Sequence, residues 1–342
     1  MDAFERILIR ATNWVGDAIL SLPALAAVRA RWPAARITIL ARPWVADIYR
    51  FGHLADEIIL YRKCSGLAAL RERLRVAGEL RRRQFDCALL LQNAFDAALL
   101  AWLAGIPVRI GYARDARRLF LTRPVAVPRR GEIPAHESFY YLELLRRIGW
   151  LDRLPERPEA RLDGIRHEPQ ALIGVSPGAA FGSAKRWLAE RFAQAAAALA
   201  QRLGAAVEVF GSAGERPLCE QVAEGVRAQG VVVTNHAGHT TLEEFIRRAA
   251  RCRLFLTNDS GAMHVAAALG VPTVAVFGST DAEATSPLGP WTRIVREPVE
   301  CSPCLLRECP IDHRCMTRVG VARVVDAALE LLEAAEAGSR RC

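Results

Sequence analysis

The chain lacks several features that would settle its class at once. No stretch of its 342 residues reaches the ~18 to 20 apolar positions of a membrane span, because charge interrupts the alanine-rich windows. The opening MDAFERILIR is charged and then enters a strand pattern, so it has no signal-peptide core. No GxGxxG follows the first strand, and no acidic residue stands where a ribose contact belongs, which argues against an NAD-dependent oxidoreductase. The GxxxxGK[ST] of a P-loop is missing too. No unit of about 20 to 50 residues repeats, which excludes a solenoid. These absences lead us to expect a cytoplasmic enzyme or binding protein. In that compartment its nine cysteines read as thiols or metal ligands rather than disulfides.

What the chain has is apolar mass and positive charge. Hydrophobic residues make up 51%, enough for real cores, and the length suggests two domains. Lys and Arg outnumber Asp and Glu by 46 to 37, for a net charge of +9. Most of that charge is arginine, which favours an acidic partner such as an anionic membrane surface or a phosphorylated substrate. An arginine-rich, well-solvated surface is the plainer reading.

Short apolar runs alternate with helical patterns: RILIRA, then DAILSLPALAAVRARWP, then ARITILAR, and so on to HESFYYLELLRRIGW. That alternation predicts parallel sheets with right-handed crossovers. Residues 151–169, rich in Pro, Arg and Glu, read as a linker, after which ALIGVSPG restarts the pattern. The expected fold class is α/β, with two doubly wound Rossmann-like domains facing one cleft. We place them at 1–160 and 170–320, followed by a C-terminal helix and tail at 320–342.

Ligands of such sheets gather beyond the carboxyl ends of the strands. In the first half those positions hold Asn13-Trp14-Val15-Gly16-Asp17 and Asn93. In the second they hold Ser176, Gly178, Gly211, Ser212, and Asp259-Ser260-Gly261. The segment SPGAAFGSAKRW combines glycines, a helix start and Lys185, which suits an anion. His264 follows in the first turn of the next predicted helix and can add a donor. Asp259 or Ser260 could equally be helix caps, and His264 a packed histidine. Asp17 has two readings as well. A cap would be structural and would repel a phosphate, whereas a lone carboxylate on the non-phosphate half suits a general base.

The NWVGD turn, the AKRW after SPG, NDSGAMHVAAALGVPTVAVFG and CSPCLLRECPIDHRCM together resemble the ADP-heptose:lipopolysaccharide heptosyltransferases. The resemblance spans roughly residues 6 to 335, and the CSPC segment narrows it toward the type II members. It implies the GT-B architecture and inverting transfer of L-glycero-D-manno-heptose from ADP-heptose to heptose-Kdo2-lipid A. Asp17 would be the base. Ser176, Gly178, Lys185, Gly211, Ser212, Asp259, Ser260, Gly261 and His264 would bind the donor. Asn13, Asn93, Arg114, Arg117 and Arg118 would bind acceptor. No cofactor would be required beyond the donor substrate. The protein would work peripherally at the inner face of the inner membrane, with no nucleic-acid partner. Type I or III activity, another nucleotide-sugar enzyme, and a noncatalytic anionic-surface binder are the alternatives. The binder explains the arginines but not Asp17. Cys301, Cys304, Cys309 and Cys315 form a candidate structural metal site, although only the CxxC spacing is metal-like. Reduced thiols packing a C-terminal loop are the other reading.

Overall fold

The computed structural model of the protein describes residues 4–339. The chain divides into two compact units, Met1–Gly164 and Ile165–Cys342. The division falls in the Pro-, Arg- and Glu-rich stretch.

The first unit contains β1 (Arg6–Arg10), α1 (Val15–Leu20), α2 (Leu22–Arg31), β2 (Arg36–Ala41), α3 (Ala46–Gly52) and β3 (Glu57–Leu60). It continues through α4 (Gly66–Arg82), β4 (Cys87–Leu90), α5 (Phe95–Leu103), β5 (Val108–Tyr112), β6 (Arg123–Val125) and α6 (Glu137–Arg147). Its six strands lie in the order β3-β2-β1-β4-β5-β6, and every pairing is parallel. Parallel strands are covered on both faces and therefore read as continuous apolar runs. Ile7, Leu8 and Ile9 of β1 are accordingly all buried.

The second unit contains β7 (Gln170–Ser176), α7 (Ala189–Leu203), β8 (Ala206–Val209), α8 (Arg216–Arg227), β9 (Val233–Asn235) and α9 (Leu242–Ala249). Then come β10 (Cys252–Asn258), α10 (Gly261–Ala268), β11 (Thr273–Val276), α11 (Ala282–Thr285), β12 (Thr292–Val295), α12 (Arg314–Thr317) and α13 (Val321–Ser339). The strand order β12-β11-β10-β7-β8-β9 repeats that of the first unit when read from the other edge. All of its pairings are parallel as well. Each unit thus has the Rossmann order, and each has one topological switch point. In the first it lies between β1 and β4, in the second between β7 and β10.

Two local expectations needed correction. DAILSLPALAAVRARWP forms two helices rather than one. Ser21 ends α1 and its hydroxyl turns back to donate to the Ala18 carbonyl at 2.8 Å. Pro23, which has no N–H to give, sits where α2 needs none. The edge strands β6 and β12 were not foreseen, because runs of 3 and 4 residues carrying an arginine leave almost no period to read.

Candidate active-site residues of the two units

In the first unit the switch point is built over two buried arginines. Arg10, at the end of β1, is 1% exposed. Its Nη1 donates to the Ala11 carbonyl (2.6 Å) and the Leu40 carbonyl (3.2 Å), and its Nη2 to Asn13 Oδ1 (3.0 Å). Arg117 is fully buried, with Nε on the Tyr112 carbonyl (2.8 Å), Nη1 on the Gln92 carbonyl and Nη2 on Asn93 Oδ1 (2.9 Å). None of these acceptors is a carboxylate. Burial pulls each guanidinium down to about 10, and for Arg10 the neighbouring Arg42 adds to the effect. Gly111 leaves room for this arrangement, since a Cβ there would stand 3.2 Å from Arg117 Nη2.

Asn13 and Asn93, expected as acceptor contacts, are therefore held as a pair. Each has its amide oxygen fixed by a buried arginine, and Asn93 also donates from Nδ2 to Tyr140 Oη at 2.9 Å. The Asn13 carbonyl accepts Trp44 Nε1 at 2.8 Å, which pins the loop that carries Trp14, itself 67% exposed. Arg114 and Arg118 are exposed, as a surface contact requires. Arg117 is not. We correct its assignment: it braces the loops after β4 and β5 from inside, with each of its three nitrogens donating to a protein oxygen.

Asp17 sits in the first turn of α1, not at its cap. The N-cap position is Trp14, whose side chain caps nothing. Burial, and after it the Glu137 carboxylate at the start of α6, together raise the Asp17 carboxyl to about 6. Glu137 is itself pushed up by burial. This second carboxylate lies 120 positions along the chain, and no local pattern could have marked it.

In the second unit the anchor is a closed pair. Lys185 Nζ lies 2.6 Å from Asp259 Oδ2, and both side chains are largely buried. The same oxygen accepts the Thr280 hydroxyl at 2.6 Å. We therefore correct the role of Asp259: its carboxylate orients Lys185, and it would repel a phosphate rather than bind one. Asn258, fully buried, ties the strand ends together. It donates to the Pro177 carbonyl at 2.7 Å and accepts from the Trp187 N–H at 2.9 Å. Ser260 stands at the N-cap of α10 with its Oγ 3.2 Å from Thr257 Oγ1, and its side chain makes no cap bond. Gly261 opens the helix, and His264 is buried one turn along. Ser176, at the end of β7, is buried.

Three other donor-side positions have structural explanations. Gly178 leaves room for Glu215: a Cβ there would stand 2.1 Å from Glu215 Oε1, so that carboxylate would have to shift. Gly211 makes room for the Cys219 sulfur, 2.6 Å from where a Cβ would stand. Ser212 forms a capping box with Glu215, donating from Oγ at 2.7 Å and from its N–H at 2.9 Å. Glu215, which the sequence reading passed over, thus sits at the meeting point of the loops after β7 and β8.

The C-terminal cysteines are free thiols. Among the described residues no three His, Cys, Asp or Glu side chains are gathered in a metal-binding group. Cys309 Sγ accepts the His313 N–H at 3.3 Å, and burial pushes the Cys315 thiol up to about 11. Their loop packs on the donor-side turn: the Arg307 carbonyl accepts the Ala184 N–H at 3.0 Å, and His313 Nε2 lies 3.0 Å from the Ala184 carbonyl.

Two Rossmann-ordered units, one with a carboxylate at its switch point and the other with a lysine beside a helix start, have the architecture of the GT-B class of glycosyltransferases. The profile of glycosyltransferase family 9 (heptosyltransferase) matches residues 73–314, and the chain belongs to that family. It is 32% identical to the lipopolysaccharide heptosyltransferase 2 of Salmonella typhimurium over 85% of this chain and 88% of that one. It is 28% identical to the lipooligosaccharide heptosyltransferase 2 of Campylobacter jejuni over 96% and 98% of the two chains. The solved structure of the E. coli ADP-heptose LPS heptosyltransferase II superposes with a TM-score of 0.80, at 28% identity, over 97% of this chain and 99% of that one.

Proposed function

We propose that this glycosyltransferase moves L-glycero-D-manno-heptose from ADP-heptose to the heptose of heptose-Kdo2-lipid A, as its type II relatives' names suggest. The first unit takes the acceptor and the second the nucleotide sugar. The substrates rest on the likeness to those relatives along most of the chain. The chemistry rests on one observation, the carboxyl of Asp17, raised to about 6 at the switch point of the first sheet.

A base with that affinity is largely ionised near neutral pH and still basic enough to draw a proton from a sugar hydroxyl. As Asp17 removes the proton, the acceptor oxygen forms its bond to the anomeric carbon. The bond from that carbon to the ADP oxygen breaks on the opposite face, and the configuration inverts. The departing diphosphate gains negative charge. Lys185 meets it with the two ammonium donors that Asp259 leaves unused. The N–H groups at the start of α10 point toward the same charge, with Ser260 and His264 beside them. Asn13 and Asn93, their oxygens already bonded to arginine, turn amide hydrogens toward acceptor hydroxyls. Arg114 and Arg118 meet acidic groups of the core. The protein works at the membrane face where that lipid-linked acceptor is presented.

The test is Asp17→Asn with ADP release and protein stability measured together. Loss of a general base lowers kcat by roughly 10²–10⁴-fold, with ADP-heptose binding kept. It also stabilises the fold, by on the order of 1–3 kcal/mol, because a desolvated charge is removed. A capping aspartate would behave in the opposite way, with turnover kept and stability lower by about 1 kcal/mol. That result would end the assignment.

A further inference from the structure

The basic helix α4 does not use its charge as its sequence suggests. Arg73 pairs with Asp96 at 2.7 Å, Arg75 with Glu72 at 2.7 Å and Glu79 at 3.2 Å, and Arg83 with Glu79 at 3.0 Å. Its unpartnered feature is apolar. Leu67, Leu70 and Leu74 recur at helical spacing and are 75%, 48% and 53% exposed, while Val76, Ala77 and Leu80 face the core. Two contacts lay α4 alongside α5: Arg73 to Asp96, and Arg81 Nη2 to the Leu103 carbonyl at 2.7 Å. On α5, Phe95 and Trp102 are also exposed, and both pack edge-on against Phe120 of the turn at Arg118–Phe120. In that turn Leu119 is 89% exposed.

A soluble surface rarely leaves so many large apolar side chains together unless something covers them. Charge says what covers these. Residues 61–120 hold 12 Arg or Lys and 5 Asp or Glu, so the stretch is at +6 even when the buried Arg117 is left out. Lys63, Arg71 and Arg82 are exposed on or just before α4 and have no carboxylate partner among the described residues. We propose that the face formed by α4, α5 and the Arg118–Phe120 turn is a docking surface for an anionic lipid bilayer. Its leucines and aromatics enter the headgroup boundary, and its arginines meet lipid phosphates. A second copy of the chain fits less well, because two such basic rims would face one another. A nucleic acid would find no use for the leucine stripe. The proposal rests on the reading of the acceptor as lipid-linked, and it supplies the means by which the enzyme reaches it.

The test is flotation of the full chain with phosphatidylglycerol–phosphatidylethanolamine vesicles and, separately, with phosphatidylcholine vesicles, without acceptor. The native chain should float with the anionic vesicles and far less with the neutral ones. Leu67→Ser/Leu70→Ser/Leu74→Ser should lower the partition coefficient at least about tenfold. Arg71→Glu/Arg82→Glu should lower it about fivefold or more per residue, and less in high salt. Both variants change exposed positions and should keep the native Tm and ADP binding. Transfer to a water-soluble, deacylated acceptor should be unchanged in both. A folded leucine variant that floats like the native chain would overturn the proposal. So would a native dimer that the leucine variant dissolves while vesicle binding stays equal. If the native chain transferred no heptose, the acceptor reading would fail while the vesicle result stood by itself.

Discussion

The two units share a strand order yet treat buried charge in opposite ways. At the switch point of the second, Oδ2 of the Asp259 carboxylate is shared by Lys185 and Thr280. At that of the first, the buried cations Arg10 and Arg117 donate to carbonyl and amide oxygens rather than to carboxylates, and the Asp17 carboxyl is lifted well above its ordinary range. A closed ion pair is pre-organised, which suits a site that must hold a diphosphate in one place. An uncompensated carboxyl titrates near the working pH, which suits a site that must move a proton. The same scaffold thus supports binding in one half and proton transfer in the other, and the difference lies in a handful of side chains.

That contrast can be broken from either side. Lys185→Ala should have the largest effect. It strands Asp259 as a buried charge, so the fold should lose about 3–5 kcal/mol. ADP affinity by calorimetry should fall about 10-fold or more, because a charge-assisted contact is gone. Arg117→Ala should come next. It leaves the Gln92 carbonyl and the Asn93 side-chain oxygen without their arginine donor, at about 2–4 kcal/mol in denaturant unfolding. Arg118→Ala, by comparison, should stay within about 0.5 kcal/mol. The smallest change should come from Glu137→Gln. Removing that carboxylate relieves Asp17 of a like charge, so the acid limb of kcat should move to lower pH while the plateau is kept.

Those variants also mark the border of what sequence could reveal. All strands but the edge strands β6 and β12 were legible because buried parallel strands are unbroken apolar runs, and the loops after β1, β7 and β10 stood out by position alone. Arg117 was misjudged because local pattern cannot tell a solvated arginine from one folded inward. Its neighbours Arg114 and Arg118 look the same in sequence and are exposed in space. Asp259 was misjudged because its partner Lys185 lies 74 positions earlier. Only the fold brings them within 2.6 Å. Glu137 was invisible for the same reason, whereas Glu215 is marked locally as the last residue of the S-x-x-E capping box that Ser212 opens. The exposed leucines of α4 were hidden inside a helix whose charge drew the eye, and the ion pairs that consume much of that charge appear only in three dimensions.

The central claim is that Asp17 is the base, with its affinity for protons set by burial and by Glu137. The most direct test is kcat against pH under saturating donor and acceptor. A base must be unprotonated, and a raised carboxyl stays protonated to a higher pH than an ordinary one. The rate should therefore climb through about pH 6 and level off above it, and the small residual rate of Asp17→Asn should not show that limb. A limb near pH 4, or one near pH 6 that survives in Asp17→Asn, would contradict the account.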